Sequence, residues 1–239
     1  IPRLQNRSMS MNELKKQSAV EAVKQIKSGD VVGLGTGSTA YFAVEEVGRL
    51  LKEGLLHDIV GVATSIETDT HARALNIPMV SIDEVESIDI AIDGADEVDP
   101  DLQLIKGKGA ALLREKSTEI LTSRFVVIVD ESKIVKKLGT KDALPVEIVP
   151  FGWKQTQKRL EKYGVPVLRP SKEDPSKPLV TDNGNFIIDL RFPNGIDHPA
   201  EMDRAIKQIT GVVDHGLFIN MATTVIVAAK DGIKVMTKN

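Results

Sequence analysis

The chemistry of this chain is concentrated between Ala91 and Lys116, in AIDGADEVDPDLQLIKGKGAALLREK. Asp93 and Asp96 stand where an apolar stretch, with Ile88, Ile90 and Ile92, gives way to a turn. Strand ends are where α/β proteins keep their reactive side chains, and carboxylates there can take up a proton and return it. Lys106-Gly107-Lys108-Gly109 follows, with glycines that free backbone N–H groups to face an anion and ammonium groups beside them. A third carboxylate, Glu115, lies on the next helix. Together these groups suit a small, anionic, hydroxylated molecule. Taken singly, Asp-Gly turns are common connectors, and Arg114-Glu115-Lys116 is the kind of charged run that normally faces solvent. Crowded into one short segment of a chain with net charge −3, they call for a functional reason.

A second candidate site precedes them. Val31-Val32-Gly33-Leu34-Gly35 reads as a buried strand, Thr36-Gly37-Ser38-Thr39 as its turn, and Ala40 to Leu51 as a helix. Such a turn aims unpaired N–H groups, hydroxyls and the positive end of a helix at one spot, which suits a phosphate. Ser38 replaces the third glycine of a dinucleotide fingerprint, and no Gly-Lys-Ser/Thr ending is present, so the pattern disfavours a nucleotide. A tight turn without a ligand is the plainer alternative. His57, His71, His198 and His215 fall in no metal-ligand spacing, and Glu67 with His71 reads as a surface pair. Ser38 lies outside Gly-x-Ser-x-Gly, and cysteine is absent, which excludes thiolate chemistry and disulfides. Asp99, Asp101, Glu119 and Glu131 read as solvated or capping charges, and a helical wheel leaves Glu115 on a flank.

The elements that must hold these groups follow from periodicity. With 239 residues, 41% of them hydrophobic, the chain can bury a sizeable core. The charge balance gives no general reason to bind nucleic acid or an anionic membrane, and no apolar run reaches the roughly 18 residues of a spanning helix. A helix is expected from Asn12 to about Ile26, strands over Ile59 to Ala63, Val80 to Ile82 and Ile88 to Ile92, and a helix over Glu67 to Leu75. Phe125 to Val129 is an uninterrupted apolar run, as a strand covered on both faces requires. Strands alternating with helices predict an α/β, Rossmann-like parallel sheet.

The pattern changes after Gly139. Pro145 to Val149, Trp153 to Tyr163, Val165 to Leu168, Gly184 to Leu190, Pro199 to Ile209 and Val212 to Phe218 give the order β-α-β-β-α-β, the ferredoxin-like arrangement. Arg169 to Lys177 reads as an exposed loop between its middle strands. Thr223 to Ala229 and Ile233 to Met236 are strands expected to rejoin the first sheet. The expected division is residues 1–139 with 219–239 as the Rossmann-like unit and 140–218 as an inserted α+β unit. The first ten residues hold Arg3, Arg7 and no acid, and read as a processed or appended end or a transit remnant.

Four motifs in order, GLGTGSTA from Gly33, DGADEVD from Asp93, KGKGAALLREK from Lys106 and VDESK from Val129, make the chain resemble the ribose-5-phosphate isomerases of type A from about Glu13 onward. The resemblance implies interconversion of ribose 5-phosphate and ribulose 5-phosphate in the non-oxidative pentose phosphate pathway, without a metal or organic cofactor. It implies Glu115 as the base acting through an enediolate, with Asp93, Asp96 and Lys106 also catalytic. Thr36, Gly37, Ser38, Thr39, Asp93, Gly94, Ala95, Asp96, Lys106, Gly107, Lys108, Gly109 and Lys133 would line the substrate site. Lys108 departs from the family pattern, which has glycine there. The partners implied are a small sugar phosphate and further copies of the chain, as a homodimer or homotetramer, with no nucleic acid and no membrane. The cytosol is the first expectation for its location and a plastid the second. Two other readings compete: a coenzyme A transferase with a nucleophilic glutamate, and a sugar-phosphate sensor that binds without turnover.

Overall fold

The computed structural model describes residues 9–238, so most of the N-terminal stretch singled out above lies outside the described residues. Ser10 and Glu13 form a reciprocal capping box that starts α1 (Met11–Val23). Then follow β1 (Val31–Leu34), α2 (Ser38–Lys52), β2 (Val60–Ala63), α3 (Ile66–Ala74) and β3 (Ile90–Asp93). Next come β4 (Glu97–Val98), β5 (Leu104–Ile105), α4 (Leu112–Glu119) and β6 (Phe125–Asp130). The insert supplies β7 (Leu144–Ile148), α5 (Trp153–Leu160), β8 (Val165–Leu168), β9 (Phe186–Arg191), α6 (Pro199–Lys207) and β10 (Val212–His215). The chain closes with β11 (Leu217–Phe218), β12 (Thr224–Ala229) and β13 (Gly232–Thr237).

The main sheet has the order β13-β12-β6-β3-β1-β2, parallel except for the β12–β13 hairpin, so the C-terminal strands rejoin it as expected. Both faces of its inner strands β12, β6, β3 and β1 are covered, which is why these strands carry no polar alternation. Val126 and Ile128 join Leu34 and Ile92 under α1 and α2, while Phe125, Val127 and Val129 face Leu104 and Phe218 on the other side. The insert forms a second sheet, β10-β7-β9-β8, antiparallel throughout, with α5 and α6 packed on it in the ferredoxin-like order. Among the described residues no helix is long and apolar enough to cross a membrane.

Two expectations need correction, and one small sheet was not foreseen. Val80 to Ile82 is not a strand: only Met79 bridges to Gly61, and Ser81 with Glu84 caps a 3-10 turn that diverts the chain. Val212 to Phe218 is two strands rather than one, and its second half leaves the insert to pair with β5. The crossing is made at Gly216, where a Cβ would sit 2.0 Å from the Lys106 carbonyl oxygen, and Lys106 N–H donates to Gly216 O at 2.8 Å. The small sheet β11-β5-β4 was not foreseen at all, because two-residue strands are too short to show a period.

Candidate active site

β1 and β3 are parallel neighbours from which the sheet is built outward in opposite directions, so a crevice opens beyond their C-terminal ends. Thr36 to Thr39 leaves β1 there, and Asp93 to Asp96 leaves β3. Gly35 is required at this point, since a Cβ on it would lie 2.1 Å from Asp93 Oδ1. The crevice holds a cavity of about 400 Å³ lined by Lys15, residues 36–40, residues 94–96, residues 106–109, Ala111, Glu115, Lys133 and Lys172. It therefore collects every expected site residue except one.

The exception is Asp93, which is fully buried beneath the cavity. Its Oδ1 accepts from the N–H groups of Thr36 at 3.2 Å and Gly94 at 2.8 Å, and its Oδ2 lies 3.0 Å from Lys106 Nζ. That last contact is a charge contact whose geometry leaves Oδ2 without a donated hydrogen bond. Lys106, 2% exposed, also lies 3.2 Å from Glu115 Oε2 and donates to the Gly94 carbonyl. Burial alone would lower the ammonium's pKa, but Asp93, Glu115 and Glu119 reverse this and hold it above its ordinary value.

Glu115 is buried, not flanking. The inward face of α4 is Leu112, Glu115, Thr118 and Glu119, a helical stripe in which three of four residues are polar. Burial and then the charge of Asp93 raise the Glu115 carboxyl well above the usual range, with Lys106 opposing them. Glu119, expected in solvent, is 2% exposed and raised for the same reasons. Three carboxyls thus share one ammonium. At an effective dielectric near 20, two unit charges about 4 Å apart interact by about 4 kcal/mol, so full ionisation of the cluster is strongly disfavoured.

Asp96, like Glu115, is a carboxylate that lines the cavity. Its Oδ2 accepts from Lys108 N–H at 3.0 Å; desolvation raises its pKa, with Lys106 and that hydrogen bond opposing. Lys108 itself is exposed, and its backbone rather than its ammonium completes the loop. Arg169, placed by sequence in an exposed loop, pairs bidentately with Asp189 at 2.9 and 2.7 Å and donates to the Lys108 and Gly107 carbonyls. The insert therefore fixes the shape of the Lys106 to Gly109 loop.

At the opposite end of the cavity α2 begins at Ser38, with Gly37 as its cap residue and no side-chain cap on its first N–H groups. Lys15 of α1 donates to Ser38 Oγ at 2.9 Å. Sequence reasoning missed Lys15, Arg169 and Lys172, which carry no motif and are brought in only by packing. The Thr36 hydroxyl turns away into a cluster with Thr64 and Ser65 at 2.8 Å and Thr68 at 3.1 Å, so those hydroxyls brace the turn rather than line the crevice. Lys133 enters from the 3-10 turn after β6. The arrangement is a positive anion cradle at one end and a buried carboxylate beside an ammonium at the other.

Comparison with known proteins identifies the family. Residues 60–232 match the family model described as ribose 5-phosphate isomerase A (phosphoriboisomerase A). The chain is 50% identical over 227 residues to ribose-5-phosphate isomerase A of Desulfatibacillum aliphaticivorans, covering 95% of this chain and 98% of the relative. It is 49% identical over 238 residues to the probable ribose-5-phosphate isomerase 3, chloroplastic, of Arabidopsis thaliana, covering 98% and 86%. A solved D-ribose-5-phosphate isomerase in complex with phospho-erythronic acid superposes with a TM-score of 0.93 at 44% identity, over 96% of this chain and 100% of that one. Motifs, fold and full-length similarity converge, and the chain belongs to the ribose 5-phosphate isomerase A family.

Proposed function

We infer that the protein interconverts D-ribose 5-phosphate and D-ribulose 5-phosphate through an enediolate, with the phosphate held at the N-terminus of α2. The observation that carries this reading is the pairing of Glu115 with Lys106 at one end of a cavity whose other end is the Lys15, Ser38 and Thr39 cradle. The Glu115 carboxylate removes the C2 proton of the open-chain aldose, and the electron pair forms a C1–C2 double bond while negative charge moves to O1. Glu115 then returns the proton to C1. The Lys106 ammonium and the N–H groups of Gly107 and Gly109 stabilise the oxyanion, without which a carboxylate is too weak a base for such a carbon acid. Asp96 lines the cavity and exchanges the hydroxyl proton between O2 and O1. Asp93, beneath the floor, fixes Lys106.

The phospho-erythronic acid in the solved relative supports this reading, since its carboxylate and phosphate match in kind the two ends of the cavity. The residues at the cradle and the base belong to the unit formed by 1–139 with 219–239, and Lys172 comes from 140–218. We place the enzyme in the cytosol, with a plastid as the alternative that the chloroplastic Arabidopsis relative supports. The reading also makes it a homodimer or homotetramer. Phe151, 93% exposed, and the exposed Val165 and Val167 of edge strand β8 offer apolar surface for self-association, and sedimentation as a monomer would count against it.

The test is proton NMR of ribose 5-phosphate incubated with the protein in D2O. Ribulose 5-phosphate should appear with deuterium at C1 or C2. Binding without conversion would favour a sensor, and a hydroxylamine-sensitive acyl intermediate a transferase. At the phosphate end, Lys15→Ala should raise KM about tenfold or more, the loss of a charge-assisted hydrogen bond, with kcat little changed. Steady-state kinetics checks this, and a fall in kcat at constant KM would move Lys15 out of the cradle.

A further inference from the structure

In the cluster of Asp93, Lys106, Glu115 and Glu119 the mechanism leaves one buried acid without a task. Glu119 follows Glu115 by one turn on the inward face of α4, and neither of its carboxyl oxygens has a hydrogen-bond partner among the described residues. The charged groups facing it are Asp93 from β3, Lys106 from the segment after β5 and Glu115 from its own helix. Asp93 Oδ2 is likewise buried and without a donor, and the Asp93 carboxyl is among the groups that act on Glu119. Two ionised carboxylates cannot donate to each other, so ionising both would leave all three oxygens orphaned. A proton on Glu119 supplies Asp93 Oδ2 with its donor and leaves only a neutral carbonyl oxygen unpaired.

We propose that Glu119 is the protonated member of this cluster, a positioning residue that donates a hydrogen bond to Asp93 and so holds Asp93 and Lys106 as a charged pair while Glu115 is free to act as the base. The other two carboxyls have partners that Glu119 lacks. Asp93 receives two backbone N–H groups and faces the ammonium at 3.0 Å, and Glu115 faces it at 3.2 Å, whereas Glu119 has no donor. Burial and the neighbouring Asp93 charge push the Glu119 carboxyl in the same direction. The catalytic consequence rests on the isomerase reading; the protonation state does not.

Isotope-edited infrared spectroscopy of protein labelled at the glutamate carboxyl carbon tests the state directly. At neutral pH the C=O band of a protonated acid should appear in the wild type and be absent in Glu119→Gln. Absence of the band from the wild type, or its persistence in that variant, would overturn the proposal. The catalytic arm uses the pH dependence of kcat/KM. Glutamine keeps a donor for Asp93 and removes no charge, so Glu119→Gln should stay within about threefold of wild type, less than one hydrogen bond to a charge is worth, with its acid limb unmoved. A limb moved to lower pH would show that Glu119 had carried negative charge, and would refute the assignment. Glu119→Leu fills the space without a donor and should lower kcat about tenfold or more. Wild-type kcat in that variant would remove the positioning role, and if it does not fold, the infrared band and the glutamine variant still decide.

Discussion

Glu115→Gln is expected to lower kcat by about 10³-fold, within the range that a positioned general base contributes, while KM for ribose 5-phosphate changes by no more than roughly threefold. The amide is isosteric and keeps a contact for Lys106, but it cannot accept a proton from carbon. The proposed binding role of the Lys15 and α2 cradle does not involve Glu115, so substrate binding should survive. The fold should survive too. Burial raises the Glu115 pKa, which means that the folded protein penalises its ionised form; that contribution to stability is lost as pH rises through the folded pKa, and a neutral amide escapes it. In D2O the variant should show no deuterium at C1 or C2 on the time scale of wild-type turnover. Turnover within tenfold of wild type would remove Glu115 from its role.

The same pKa direction fixes the pH profile of the wild type. As the proposed base, Glu115 acts only when ionised, so kcat/KM should fall as pH drops through a value above the ordinary carboxylate range. Residual activity of the glutamine variant should lack that limb. A wild-type limb at an ordinary carboxylate pKa would mean that the base is a better solvated group.

What was legible in the sequence was whatever a local pattern dictates. Phe125 to Val129 announced a strand covered on both faces because both faces are apolar, and the glycine-rich turn before Ser38 announced a helix start open to an anion. The reactive stretch was visible because Asp93 and Asp96 follow directly on a strand. The wheel failed on α4 for a physical reason. Hydrophobicity identifies a buried face only when that face is apolar, and here the inward stripe holds Glu115, Thr118 and Glu119 while Ile120 is 63% exposed. That inversion is itself a mark of a functional helix, because buried charge is retained against its desolvation cost. Lys15 and Arg169 were illegible for another reason. Each acts on a segment far from it in sequence, Ser38 and the Lys106 to Gly109 loop, and only the packing of α1 and of the insert brings them together.

Lys106→Ala should be nearly as damaging as loss of the base, with kcat lowered by about 10²–10³-fold, the cost of removing one oxyanion donor. The ammonium has two functions that the experiment can separate. In the proposed mechanism it stabilises charge on the substrate oxygen, and from 3.2 Å it favours the ionised form of Glu115. Without it Glu115 binds its proton more tightly, so the acid limb of kcat/KM should move to higher pH. Removing one partner of a buried ion pair costs about 3–5 kcal/mol, which makes a folded-state control necessary. Short alkylammonium ions supply that control. Lys106 borders the cavity, so a small cation can enter the space left by the side chain, and turnover should recover in a saturable way that neutral alcohols of the same size do not reproduce. Recovery of thermal stability without recovery of turnover would reduce Lys106 to a structural counter-ion and shift oxyanion stabilisation to the loop N–H groups alone.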